Sequence, residues 1–160
     1  MAKLQDKGLN EYVKAIQKIQ KDSDTIIRKG VYTGAGILAD GMKKEIRALH
    51  TDNRFGTKEA PLNGISNRQK ADLIDGMGIA PIREEKDYTN AKIGWDGYGR
   101  TRTKKYPRGV PIPLIARSIN SGTSFRKKDP FVDRATRKCK KQAVNGMAQS
   151  IEKDIKKEMK

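Results

Sequence analysis

The sequence predicts an α+β fold, with N-terminal helices and a long C-terminal helix packed around a small antiparallel sheet and with long exposed loops. Apolar residues recur at helical spacing over residues 8–49 and 129–158. Between them, residues 79–82 and 91–95 are short apolar segments typical of strands. Strands and helices do not alternate, which argues against a parallel sheet. We expect the 160 residues to form a single domain, 1–160.

The N-terminal part, residues 8–49, is predicted to contain two helices separated by a polar break at residues 21–24. Four glycines interrupt the apolar stripe of the second helix, and each costs a helix about 1 kcal/mol relative to alanine. These glycines are Gly30, Gly34, Gly36 and Gly41. They indicate either close approach of a neighbouring helix, from this chain or another copy, or a bent or broken helix. The sequence leaves both interpretations open.

The middle of the chain begins with residues 50–65, which are rich in turn formers and predict a loop. Residues 66–125 then predict a short helix, a β-meander and a basic loop. Ser66 is the expected helix cap, and Asp96-Gly97 is the expected two-residue hairpin turn. Residues 99–111 are polar and broken by prolines, so we expect an exposed loop that becomes ordered on binding.

The segment NSGTSFRKKDPF, residues 120–131, leads into the C-terminal helix. Asp129 as N-cap and Pro130 at the first helical position predict a helix over residues 129–158. Gly122 is expected to provide the preceding turn. Phe125 and Phe131 are expected to be apolar anchors on either side of an exposed cluster, which consists of Arg126, Lys127 and Lys128.

Positive charge is concentrated in the second half of the chain. The formal net charge is +16, and residues 98–141 contain fourteen Lys or Arg against two acids, a net +12. A field of one sign favours polyanions or acidic protein surfaces. The alternative is a solvated face that only keeps the protein soluble.

The sequence predicts no enzymatic activity, no cofactor and no metal site. His50 is the only histidine and Cys139 the only cysteine, which leaves little for a metal site or for a Ser-His or Cys-His pair. Cys139 falls on the apolar repeat of the last helix and is expected to be a small core residue. No apolar run approaches the roughly 20 residues of a membrane span, and no secretory signal is visible, so we expect folding in a reducing cytoplasm.

Nucleic-acid binding is the alternative function. The stretch RTRTKKYPR supplies five cations around Tyr106, and single-strand binders combine cations with aromatic side chains in this way. The cluster at residues 126–128 would add to this surface. Against this interpretation, the sequence has no zinc finger, no aromatic-studded strand and no clear helix-turn-helix.

The C-terminal half resembles a known protein family. Three segments within residues 92–143 carry this resemblance, in the order KIGWDGYG, TKKYPRG and IARSINSGTSFRKKDPFVDRATRKCKKQA. They are similar to the tail-completion or head–tail joining (neck) minor tail components of long-tailed bacteriophages. The N-terminal helices, middle loop and short helix fit the same order. One departure is Asn120, which stands where a glutamate is expected before the Gly-Thr turn. If that acid holds a neighbouring subunit, the contact is altered here.

The resemblance implies a structural virion protein that works by assembly in the neck or tail, after production in the bacterial cytoplasm. Its implied partners are the tail tube or terminator, the head connector and further copies of itself in a ring, and some cations would also face DNA in the neck channel. The expected interface residues are Arg100, Arg102, Lys104, Lys105, Arg108, Gly122, Thr123, Phe125, Arg126, Lys127, Lys128, Pro130 and Phe131.

Overall fold

The computed structural model describes residues 7–85 and 88–159 and confirms the predicted α+β class. Four helices account for most of the structure, and four short strands lie between the second and third helix. In chain order the elements are α1 (Lys7–Ala48), α2 (Asn67–Asp75), β1 (Met77–Ile79), β2 (Arg83–Glu85), β3 (Tyr88–Asn90), β4 (Ile93–Trp95), α3 (Ile112–Ser121) and α4 (Phe131–Glu158).

The first helix, α1, is continuous over 42 residues, so the predicted break at residues 21–24 is wrong. The Ser23 hydroxyl donates a hydrogen bond of 3.0 Å to the carbonyl of Gln20, one turn earlier. Serine therefore bonds back into the helix instead of capping a new one, which is a common alternative for this side chain.

The glycines of α1 lie against α4, which runs antiparallel to it. Gly30 faces Ile151, and a Cβ at this glycine would stand 2.6 Å from the Ile151 Cγ1 atom. Gly34 and Gly41 face Met147 and Cys139 in the same way. Close approach of a helix of the same chain is thus confirmed for these three glycines, and the broken-helix alternative is wrong.

Gly36 differs from the other three glycines, because no atom of a neighbouring element lies within 4 Å of the position a Cβ would take. Gly146 of α4 also lies where the two helices meet, and the Ile37 side chain of α1 packs against it. Cys139 is half-buried between the two helices, in agreement with its predicted packing role.

The strands form one interrupted antiparallel hairpin in place of the predicted meander. The outer pair joins β1 to β4, with Met77 opposite Trp95, and the inner pair joins β2 to β3. The predicted hairpin turn at Asp96-Gly97 is wrong, because Asp96 follows β4 and its N–H donates to the Gly76 carbonyl. The antiparallel pairing of β2 with β3 places the reversal of the chain between these two strands instead.

The core lies where the C-terminal half of α1 meets α2, α3 and the start of α4. Ile46, Leu73, Ile119 and Phe131 are fully buried there. Trp95 packs edge-on against Phe131, with ring centroids 5.8 Å apart, and its indole N–H donates to the Leu73 carbonyl at 2.9 Å. Within the described part of the chain, none of the helices is apolar enough over sufficient length to cross a bilayer.

Candidate functional site

A groove of about 850 Å³ brings together three segments that are distant in the sequence. Its walls come from residues 52–69, from the basic loop and the start of α3, and from the segment that precedes α4. We call it the groove below. Its lining is mostly apolar but contains four cationic side chains, which are Arg54, Arg68, Lys105 and Arg126. The two basic clusters of the sequence therefore meet at one surface feature.

The segment 120–131 folds as a tight turn around Gly122. This glycine has a φ of +76°, and a Cβ there would lie 3.1 Å from the backbone nitrogen of Lys128. Both features favour glycine, so its predicted turn role is confirmed. Just beyond it, Thr123 and Arg126 exchange two backbone hydrogen bonds, of 2.9 and 3.2 Å.

This turn is joined to the 50–65 loop by backbone hydrogen bonds. The Leu62 N–H donates to the Phe125 carbonyl at 2.9 Å, and the Lys127 N–H donates to the Leu62 carbonyl at 2.8 Å. Backbone hydrogen bonds of Ile65 with His50 and Asp52 join the two ends of the 50–65 loop. The cations therefore extend from a surface fixed by backbone pairing.

Arg126 is buried, which corrects the prediction that it is exposed with its two neighbours. Its residue surface is 4% exposed, whereas Lys127 and Lys128 are exposed as predicted. Its guanidinium donates to the Gly64 carbonyl at 2.7 Å and to the Gln69 Oε1 at 3.1 Å, while its Nε atom is buried without a partner. Burial lowers the pKa of the Arg126 guanidinium, and the charge of Asp52 opposes that shift.

Asp52 is a buried acid that the sequence analysis did not single out. Its carboxylate accepts hydrogen bonds from Arg54 Nε and Nη2, at 2.9 and 2.8 Å, and from the Asn63 N–H at 3.1 Å. The Arg54 guanidinium and the Asn63 N–H hold the pKa of Asp52 well below its usual range. The only sequence signal is its place among turn formers, where an Asp side chain often bonds to nearby backbone.

The basic loop, residues 99–111, is held within the chain itself. Gly99 and Val110 are joined by a backbone hydrogen bond of 2.8 Å, and Thr103 and Tyr106 exchange two more. Arg100 is exposed and pairs with Asp75 at 2.6 Å and with Asp72 at 3.6 Å. The expectation that this loop becomes ordered only on binding is therefore wrong.

The outer face of the basic loop remains cationic. Four of its side chains are exposed and form no ion pair with any residue that the structure describes: Arg102, Lys104, Lys105 and Arg108. The Lys105 ammonium lies 5.7 Å from the centroid of the Tyr106 ring, within the range of a cation–π contact. This face is the part of the basic loop available to a partner.

The two predicted anchors behave differently. Phe131 is fully buried in the core, as expected, but Phe125 is 43% exposed and lines the groove. At the rim, Phe55 is 98% exposed and Leu114 is 40% exposed. Large apolar side chains therefore stand in solvent beside the cations.

The start of α4 is capped by a residue other than the predicted one. The Asp129 carboxylate pairs with Arg134 at 2.7 Å and does not cap the helix, and Pro130 precedes the first helical residue instead of occupying it. The Asn120 Oδ1 accepts a hydrogen bond of 3.1 Å from the Val132 N–H. Asn120, which stands where the resemblance expects a glutamate, thus satisfies the helix start within the chain.

No catalytic or metal-binding arrangement is evident among the described residues. No group of three or more His, Cys, Asp or Glu is placed to hold a metal within that part of the chain. His50 is an exposed residue just beyond α1. Comparisons with protein-family models, with curated proteins and with solved structures found no match to this chain.

Proposed function

We propose that this protein is a structural component of the neck or tail of a long-tailed bacteriophage, which completes the tail and joins it to the head. The observation that carries the proposal is the groove, in which exposed Phe55 and Phe125 stand beside Arg68 and Lys105, two cations that form no ion pair with a described residue. Apolar anchors next to complementary charge are typical of protein–protein interfaces, where aromatic and Arg residues supply most of the binding energy.

The resemblance of residues 92–143 to neck components supports the assignment to a virion. The proposed partners are the tail tube or terminator, the head connector and further copies of this chain in a ring. The exposed cations, such as Lys104, Arg108, Lys127 and Lys128, would speed and orient docking onto acidic partner surfaces.

The first test is to disrupt the gene in the phage that encodes it and to image the lysate by electron microscopy. A joining role predicts full heads and separate tails with few joined particles. Complete, infectious virions in that lysate would overturn the proposal.

The second test asks whether the groove carries this role. Complementation with a Phe55→Ser, Phe125→Ser double variant should fail to restore joined particles, because both aromatic anchors are lost. The matched control is Tyr12→Ser, which removes a 52%-exposed aromatic from α1, outside the groove. If the two variants complement equally well, the groove is not the surface that carries the joining role.

Nucleic-acid binding is the second candidate, favoured by the contact between Lys105 and Tyr106 on the cationic face of the basic loop. That function predicts affinity for a single-stranded oligonucleotide that falls steeply with salt and has a defined site size. The neck role predicts association with tail proteins that tolerates salt and ignores nucleotide sequence. Titration in two salt concentrations separates the candidates.

A further inference from the structure

Arg126 is a buried cation without a counter-ion. It forms no ion pair with a described carboxylate, and the hydrogen bonds of its guanidinium go to two neutral acceptors, the Gly64 carbonyl and the Gln69 amide. A buried charge is stable only with strong compensation, and neutral acceptors compensate an arginine less well than a carboxylate does. The isolated chain therefore leaves the charge of Arg126 incompletely balanced.

The nearest acid, Asp52, is already engaged. Both of its carboxylate oxygens accept hydrogen bonds from Arg54, and one also accepts from the Asn63 N–H. Asp52 acts on Arg126 only through its field. Its negative charge is matched by Arg54, so it does not serve as the counter-ion of Arg126.

The groove offers space beside this cation. Arg126 is part of the groove lining, together with Arg68 and Lys105, and neither of these pairs with an acid among the described residues. The remaining lining is mostly apolar and includes Leu62, Leu114 and Phe125. The groove is thus complementary to an apolar ligand that bears negative charge.

We propose that the groove binds an apolar peptide segment of a partner protein, and that a carboxylate of that segment becomes the counter-ion of Arg126. This inference deepens the proposed function, since it rests on the groove as the docking surface and names the chemistry of the partner. The fork of an arginine suits a carboxylate in particular, because its N–H groups match the two carboxylate oxygens.

A protein segment fits the surroundings better than a small molecule or a nucleic acid. Phe55 is almost fully exposed at the groove, so the apolar surface extends into open solvent, where a small ligand would leave it uncovered. A polynucleotide would place its charge along an outer basic face. Arg126, in contrast, is a buried charge in a groove whose exposed lining surface is mostly apolar.

The experiment uses the full chain and two matched peptide libraries. In the first library, Leu, Ile or Phe alternates with Asp or Glu, and in the second, Asn or Gln replaces each acid. We expect the purified protein to bind peptides of the acidic library, with affinity weakened about tenfold or more for their amide counterparts. Equal affinity for the two libraries would overturn the inference.

The variant arm isolates Arg126. Arg126→Met keeps an unbranched side chain of similar size and removes the unbalanced charge together with two hydrogen bonds, so we expect a folded protein with thermal stability close to that of the parent chain. Its affinity for the acidic peptides should fall about tenfold or more. Lys44→Met, which removes an exposed cation of α1 outside the groove, is the control and should change affinity less than threefold. If Arg126→Met does not fold, Arg126→Lys replaces it and should also weaken binding, because the fork is lost.

Two further probes assign the source of the negative charge. Binding of 3-phenylpropanoate through Arg126 without binding of any peptide would overturn the inference in favour of a small-molecule site. Binding of an oligothymidylate through Arg126 would overturn it in favour of phosphate. Binding of none of these probes also overturns it.

The outcomes separate this inference from the proposed function. If gene disruption leaves tails and heads unjoined but the peptide libraries bind equally, the neck role survives and the inference fails. If virions form without the protein but acidic peptides bind through Arg126, the inference survives and the neck role fails.

Discussion

The two basic clusters lie at residues 100–108 and 126–128, and each contributes one cation to the lining of the groove. They differ in how far their cations are exposed to solvent. In the first cluster Arg100 turns to Asp75, and the remaining four cations face solvent. In the second cluster Lys127 and Lys128 face solvent, and Arg126 enters the interior. A run of like charges can therefore contain both buried residues that are held by the fold and exposed residues that are available to a partner. Contacts from loops distant in the sequence determine which residues are buried.

The largest expected effect is on Arg126. Arg126→Glu places a buried carboxylate beside the Gly64 carbonyl and near Asp52, so it removes the donors that now face these groups and adds a like charge to Asp52. We expect a loss of about 3–5 kcal/mol in the free energy of unfolding, measured by urea denaturation. The control, Lys127→Glu, should stay within about 0.5 kcal/mol. A small loss for both variants would show that Arg126 is no more structural than its neighbour.

The buried acid next to the second cluster predicts a pH dependence. Because the pKa of Asp52 is lowered in the folded chain, its contribution to stability is present above its unfolded pKa of about 4 and is lost as pH falls through the folded pKa. Asp52→Asn should therefore lower the melting temperature at neutral pH and flatten its decline in acid.

Asp40→Asn is the control for that experiment, since Asp40 is exposed and lies outside the groove. Part of the acid sensitivity should remain in the Asp52 variant, because Lys138 and Arg134 also lower the pKa of Glu45. An unchanged pH profile in Asp52→Asn would contradict the structural role of Asp52.

A smaller effect is expected in the first cluster. Arg100→Ala removes the ion pair with Asp75, in which both side chains are more than half exposed, and a longer ion pair of 3.6 Å with the buried Asp72. Exposed pairs contribute little, so we expect a loss of about 0.5–1 kcal/mol by urea denaturation. Arg102→Ala, which removes an exposed cation without an ion pair, should cost less. If Arg100→Ala and Arg102→Ala lose the same free energy of unfolding, Arg100 contributes no more to stability than its unpaired neighbour.

The smallest effect on stability is expected for the solvent face of the first cluster. Replacing Arg102, Lys104, Lys105 and Arg108 together by Gln should change the free energy of unfolding by no more than about 0.5 kcal/mol per site. The same variant sharpens the functional comparison, because each lost phosphate contact lowers the salt slope of single-strand binding by about 0.7. A slope that does not change would remove this face from any nucleic-acid interface.

Local patterns predicted the parts of this molecule that depend on local chemistry. The long helices follow from apolar periodicity, Gly122 from the turn it permits, and Phe131 from its place on the apolar repeat. The sequence left two interpretations open for the glycines of α1, and close approach of a helix holds for Gly30, Gly34 and Gly41.

Apart from the break predicted at residues 21–24, where Ser23 bonds locally to Gln20, the errors at the site concern contacts between segments far apart in the sequence. Burial of Arg126 depends on Gly64 and Gln69, which accept its hydrogen bonds. The failure of Asp129 as a cap depends on Arg134 and on Asn120, which takes over that role. No periodicity or propensity encodes such pairings, so the sequence predicted two of the four cations of the groove, Lys105 and Arg126, but not the groove.

The pairing of α1 with α4 has a consequence for how the chain folds. Thr33 of α1 contacts Ser150 of α4 across 117 residues of sequence, although both elements are helices. Most helical proteins fold rapidly because their contacts are local, whereas closing this pair requires almost the whole chain. During synthesis, α1 emerges first and its glycine face has no partner until α4 leaves the ribosome. We therefore expect slower folding than the helix content suggests, with α1 exposed to chaperones throughout translation.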